Sequence, residues 1–257
     1  MTETTATGGT EWRGREKAAR WLLTADFIDS CLQGAGRSYQ QGELAYLAMT
    51  SQIENPVRDR VAYEMHQILK GTRTRLDVGR EWTGLFTDGE DGRPVRRQVD
   101  LAVVEKPRRR RAYVPYPHGV VEFKAFYAHQ ARSVGQLNGI YRKVLKDVEK
   151  CRTSSGGMMG EVFSVVLLPS MRLASSRIPH QIMRKIEGKV LMDDLMRETG
   201  RLSNEATLEQ VSGRLSRLGP VQDGLIDAGT DSGVQVTVPY VILGPVPVET
   251  YENPPWL

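Results

Sequence analysis

Three ionisable residues stand inside two segments that otherwise read as buried strands. In Gln98-Val-Asp-Leu-Ala-Val-Val104 the two-residue period of a strand puts Asp100, Ala102 and Val104 on one face and Val99, Leu101 and Val103 on the other. In Gly119-Val-Val-Glu-Phe-Lys-Ala-Phe126 the same period places Glu122 and Lys124 together, opposite Val121 and Phe123. Burying such groups is costly unless they are paired or bind a metal. Two carboxylates on neighbouring strands make a hard oxygen site of the kind Mg²⁺ takes together with water and phosphate oxygens. A lysine beside them can orient or deprotonate an attacking water and neutralise charge on a phosphate.

These strands need elements to hold them. Ala18, Trp21, Leu22, Ala25, Ile28 and Leu32 recur at helical spacing and predict a helix over 14–33 that stops at Gly34, with a second helix over 39–53. A third is predicted with Asn55 as N-cap, Pro56 at its first position, the apolar series Val57, Val61, Met65, Ile68 and Leu69, and Gly71 as its stop. At 100° per residue Glu64 falls within that apolar arc, so a carboxylate is placed on the core face. Strands are expected near 82–86, 97–104, 119–126 and 161–168, with a helix over 129–151 between the last two. Helices near 179–198 and 203–218 and a strand over 233–243 complete the chain. The expected organisation is a flexible N-terminus over 1–13, a core with N-terminal helices over 14–170, and C-terminal helices and a strand over 171–257 packed on it, all within the α/β class.

Asp100 on one strand, then Glu122-Phe-Lys124 on the next with helices on either side, resembles the signature of the PD-(D/E)XK nuclease superfamily over roughly residues 55–170. The resemblance implies a restriction endonuclease-like core, a mixed central sheet flanked by helices with a C-terminal elaboration. It implies that Asp100 and Glu122 bind Mg²⁺, with Mn²⁺ as a substitute, and that Lys124 assists the nucleophilic water. An acidic residue on the preceding helix often completes such a site, a role that Glu64 matches, with Glu43 as the next candidate. The helix after the motif would line the nucleic-acid cleft, with Gln130 or Gln136 facing the site. Val99 stands where the Pro that names the motif would be, and a second Glu-x-Lys, Glu187-Gly-Lys189, falls in a helical stretch where this chemistry has no place. Alanine at Asp100, Glu122 or Lys124 is expected to abolish cleavage while leaving the fold intact.

Charge distribution agrees with a polyanionic partner. Between Arg93 and Arg152 there are 15 Lys/Arg against 5 Asp/Glu, although the whole chain of 257 residues carries a formal net charge of only +4. The run Lys106-Pro-Arg-Arg-Arg-Arg111 makes Arg108, Arg109, Arg110 and Arg111 candidate phosphate contacts, joined by Lys143 and Lys146 on the following helix. DNA is the expected partner, with a homodimer supplying two cuts and a larger defence complex as a further setting. The leucines at 208, 215 and 218, with Val211 and the strand Val234–Leu243, are candidates for the dimer interface. Two cysteines exclude a disulfide framework, and four scattered histidines carry no zinc-site spacing. No apolar run reaches the length of a membrane span and no signal-peptide pattern opens the chain, so a cytoplasmic location is expected. A catalytically silent nucleic-acid-binding or partner-binding subunit, and a repair or recombination nuclease, are the alternatives to a restriction or anti-phage endonuclease.

Overall fold

The computed structural model describes residues 23–72, 74–88, 94–106, 117–152, 160–174 and 202–247. Three helices open it: α1 (Ala25–Ser38), α2 (Glu43–Thr50) and α3 (Glu54–Gly71). Strands β1 (Leu76–Asp88), β2 (Pro94–Glu105) and β3 (Pro117–Ala125) follow. A 3₁₀ turn (Ala128–Ala131) leads into α4 (Val134–Arg152). After it come β4 (Glu161–Leu167), β5 (Ser170–Leu173), α5 (Asn204–Leu215), β6 (Val221–Asp231) and β7 (Val234–Pro247). The predicted lead-in at 1–13, the start of the first predicted helix and the helix near 179–198 lie outside the described residues.

All seven strands join one mixed sheet in the order β1-β2-β3-β4-β7-β5, with β6 on the other side of β7. β1, β2 and β3 pair antiparallel, whereas β3 and β4 run parallel from Gly119 opposite Glu161 to Ala125 opposite Leu167. A parallel pair requires a crossover, and α4 supplies it. The sheet's two faces carry different helices. Leu101, Val121, Phe123, Phe163, Val165, Val236 and Tyr240 pack under α1, α2 and α3. Ala102, Val120, Val162, Val166, Val241 and Leu243 pack under α4 and α5, against Ile140, Val144, Val148, Val211 and Leu215. The architecture is three-layered α/β, and fully burying each large apolar side chain in it contributes about 1.5–3 kcal/mol.

The structure departs from the sequence reading at several points. Gly34 does not stop α1, which continues to Ser38. Its glycines serve close packing: a Cβ at Gly36 would lie 2.6 Å from Ile226, and one at Gly34 would lie 3.1 Å from the Glu64 carboxylate. Asn55 is not the N-cap of α3, which begins one residue earlier at Glu54. Pro56 still fits, because N–H groups of a first turn have no partner within the helix. The helix predicted over 129–151 is divided into the 3₁₀ turn and α4. The sequence pattern does not predict β6, which is polar and glycine-bearing; pairing with β7 from Val221 opposite Leu243 to Asp231 opposite Val234 is what makes it a strand.

Nor is the apolar face of the C-terminal helix available to a second subunit. Val211 and Leu215 are buried in the core shared with α4, Leu208 and Leu218 pack against that core, and Val234–Leu243 lies within the sheet.

Candidate active site

The β2–β3 ladder runs from Val104 opposite Pro117 to Leu101 opposite Val121 and ends there. Asp100 and Glu122 are the next residues, so both acids stand where the two strands part. Alternate N–H groups of β3 face β2, and past the end of the ladder they need other acceptors. Phe123 N–H donates to Oδ2 of Asp100 at 2.7 Å, and Ala125 N–H donates to Oε2 of Glu54 at 3.0 Å. One carboxylate from β2 and one from the first turn of α3 therefore close the free edge of β3.

On the face toward α4, Glu122 and Lys124 meet Asp147 and Lys150. Residues two apart on a strand and three apart on a helix each share a face, so the two pairs cross in register. Lys124 Nζ lies 2.9 Å from Oδ2 of Asp147, and Lys150 Nζ lies 2.6 Å from Oε1 of Glu122. Lys150 also donates to the Gln98 carbonyl of β2 at 3.1 Å. Cys151 is within 3.9 Å of Glu122, and Ser164 stands opposite Glu122 on β4.

Burial is the main force on the acids. It raises Glu122 from 4.5 to about 7, Lys150 opposes the shift, and the charges of Asp100 and Asp147 add to it. Burial also raises Glu54, against the pull of Lys124 and the Ala125 N–H. For Lys124 burial works the other way, favouring the neutral amine. The hydrogen bond and charge of Asp147 overcome it, and the ammonium is stabilised beyond its ordinary range.

Asp100 has a cation of its own. Arg58, buried on α3, reaches Oδ1 of Asp100 at 3.3 Å, Asp59 at 3.1 Å and Glu81 at 3.2 Å. Glu81 adopts φ 47°, the left-handed region uncommon for a residue other than glycine, beside the register shift that separates Trp82 from Leu85. The backbone is distorted where its carboxylate turns toward Arg58.

Asp100, Glu122 and Lys124 are thus brought together, and Glu64 is not. Its arc faces α1, where its carboxylate packs against Gly34, while Ile68, taken as the other flank of the core arc, is 38% exposed. Ten residues separate it from Glu54, about 15 Å along a helix. Glu43 is also elsewhere, 3.6 Å from Arg60. The helix acid at the cleft is Glu54. Its sequence signal was an acid in the first turn of a helix, hidden by placing the helix start at Asn55.

Gln130 and Gln136 act locally: Gln130 accepts from the Tyr127 N–H, and Gln136 accepts from the Ser133 N–H. The polar groups that α4 presents to the cleft are instead Asp147 and Lys150. Lys143 and Lys146 are exposed on α4, Lys143 lying over the Phe126 ring at 5.1 Å. Arg108 to Arg111 lie outside the described residues, as do Glu187 and Lys189. His66 pairs with Asp77 at 2.7 Å, and His129 stacks on Tyr127.

Among the described residues no three carboxylate, imidazole or thiol groups converge as a set that could hold a metal ion by themselves. The donor chemistry of the cleft still suits Mg²⁺, which commonly takes only one or two carboxylates and completes its shell with water and phosphate oxygens. Asp100 and Glu122 are such a pair of hard donors. No helix among the described residues is long and apolar enough to cross a membrane. Comparison of the chain with protein-family models, with curated proteins and with solved structures finds no match.

Proposed function

We propose that the cleft between β2 and β3 is the active site of a Mg²⁺-dependent deoxyribonuclease with a restriction endonuclease-like fold of the PD-(D/E)XK type. The observation that carries this reading is the position of Asp100 and Glu122 immediately beyond the last paired residues of the two strands, with Lys124 two residues further along β3. Asp100 and Glu122 would hold the ion, with Glu54 as a third acid nearby. Bound there, Mg²⁺ supplies Lewis acidity toward the phosphate and lowers the pKa of a water.

The chain's own groups divide the remaining tasks. Asp147 keeps Lys124 in the ammonium form, which suits it to donate hydrogen bonds and to neutralise phosphate charge rather than to accept a proton. Asp100, anchored by the Phe123 N–H and by Arg58, is held rigidly. Glu122 sits in a desolvated setting that favours association with positive charge. The exposed Lys143 and Lys146, with the basic run Arg108 to Arg111, supply sequence-independent phosphate contacts. An endonuclease of restriction or anti-phage defence, acting in the cytoplasm as a homodimer or within a larger defence complex, is the setting we propose, since two sites related by a two-fold axis cut both strands.

A second reading is favoured by one observation: each of the two acids already has an internal cation, Arg58 for Asp100 and Lys150 for Glu122. A site retired from catalysis and retained as a nucleic-acid-binding or partner-binding subunit would be closed in this way. Incubation with plasmid, linear and single-stranded DNA in Mg²⁺, Mn²⁺ or EDTA separates the readings. Cleavage that needs the ion and vanishes in Lys124→Met supports the nuclease. DNA binding without cleavage under every condition supports the silent subunit.

A further inference from the structure

The two cations that neutralise the acids of the cleft are held very differently. Arg58 has a side chain only 8% exposed and is forked among Asp59, Glu81 and Asp100, so leaving Asp100 would break up a three-carboxylate arrangement. Lys150 is a compact charge on a flexible stem, 24% exposed at the side chain. Besides Glu122 it holds the carbonyl of Gln98, an exposed residue of β2. Long lysine stems lie along apolar surface while their ammonium groups reach water. Arg58 is built to stay and Lys150 is built to leave.

We propose that Lys150 is an internal competitor of the divalent ion: its ammonium occupies Glu122 in the metal-free protein and gives way when the ion is held between Glu122 and Asp100. This rests on the reading of the cleft as a metal site. Glu122 has a side chain only 4% exposed and faces the negative charges of Asp100 and Asp147, so Lys150 can leave only in exchange for another cation. Lys124 cannot substitute, because Asp147 engages it at 2.9 Å. The departing ammonium has a destination. Lys143, Lys146 and Lys150 recur at three- and four-residue spacing along α4, which forms one ridge of the helix, so a released Lys150 extends the row of exposed charges. Ion binding would then add a phosphate contact, and by linkage DNA would tighten the ion.

The test is an Mn²⁺ titration of the full chain without DNA, followed by calorimetry and by the shift in melting temperature, for the wild-type protein, Lys150→Met and Lys150→Arg. Removing a competing charge of this proximity should tighten Mn²⁺ by about tenfold or more in Lys150→Met. Lys150→Arg keeps the charge and should bind Mn²⁺ no more tightly than the wild type. The metal-free Lys150→Met protein should also melt lower than the wild type at pH 8, and Mn²⁺ should close that gap. Equal or weaker Mn²⁺ binding in Lys150→Met than in the wild type overturns the competitor role and leaves the metal site standing. Absence of Mn²⁺ binding in all three proteins overturns the metal reading of the cleft and this inference with it. Should Lys150→Met fail to fold, the wild-type protein decides: in ¹H–¹⁵N spectra of the lysine ammonium groups the Lys150 signal should shift as Mg²⁺ is added. A Lys150 signal unmoved at saturating Mg²⁺ overturns the proposal.

Discussion

Asp100→Ala should unfold this protein more easily as well as silence it. The Asp100 carboxylate accepts the Phe123 N–H at 2.7 Å at a point where β2 no longer provides a backbone acceptor. Alanine leaves that N–H without its partner, a cost of about 1–3 kcal/mol. Arg58, 8% exposed at the side chain, loses one of its three carboxylates but keeps Asp59 and Glu81, which limits that loss to roughly 1 kcal/mol, well short of the cost of stripping a buried charge of every partner. The sum is about 2–4 kcal/mol, or roughly 5–15 °C in melting temperature for a chain of this size. Asp100→Asn keeps an acceptor oxygen for the Phe123 N–H but turns N–H donors toward the Arg58 donors, so it should recover the Phe123 part of the loss and not the Arg58 part. Urea denaturation of both variants in chelator, with circular dichroism as the probe, measures the difference. An Asp100→Ala protein within ~0.5 kcal/mol of the wild type would refute the capping argument. Alanine at this position is therefore expected to cost stability as well as activity, and loss of cleavage in Asp100→Ala is not by itself evidence of catalysis.

Glu122 sets a pH dependence. Its carboxyl is raised from 4.5 to about 7, so between those values the folded protein binds more protons than the unfolded chain and stability falls as pH rises, by about 3 kcal/mol in total. Glu122→Gln should flatten that slope in urea titrations from pH 4.5 to 7.5, and parallel slopes in the two proteins would rule out the burial of this charge. Glu54→Gln retains an oxygen for the Ala125 N–H and should keep its stability within ~1 kcal/mol while Mg²⁺-dependent turnover drops, whereas Glu64→Gln should leave turnover unchanged. The reverse pattern in initial rates would return Glu64 to the site. Asp147→Asn removes the main support of the Lys124 ammonium, so the Lys124 pKa read by NMR should fall, and an unchanged value would show that Asp147 does not hold it.

What the sequence alone determined is what depends on local period. Strand alternation placed Glu122 with Lys124 on one face of β3, where both meet α4; in β2 it fails beside Asp100, because Val99 packs with Ala102 in the core under α4 and α5 and not with Leu101 and Val103. Helical spacing likewise marked α1, α3, α4 and α5, and the α/β class followed from their order with the strands. Tertiary structure alone decided which charges meet. Glu54 reaches the cleft because the first turn of α3 ends beside the free edge of β3, a relation between residues 71 positions apart that no local pattern records. Arg58, a charged residue within the third helix, is buried because three carboxylates from α3, β1 and β2 surround it. Asp147 and Lys150 meet Lys124 and Glu122 only because the parallel β3–β4 crossover lays α4 across β3. β6 is a strand because β7 supplies a partner for its backbone, not because its side chains alternate. Backbone geometry is dictated by neighbours in sequence, whereas ion pairing depends on distances of a few ångströms between remote segments, which only the packed chain sets.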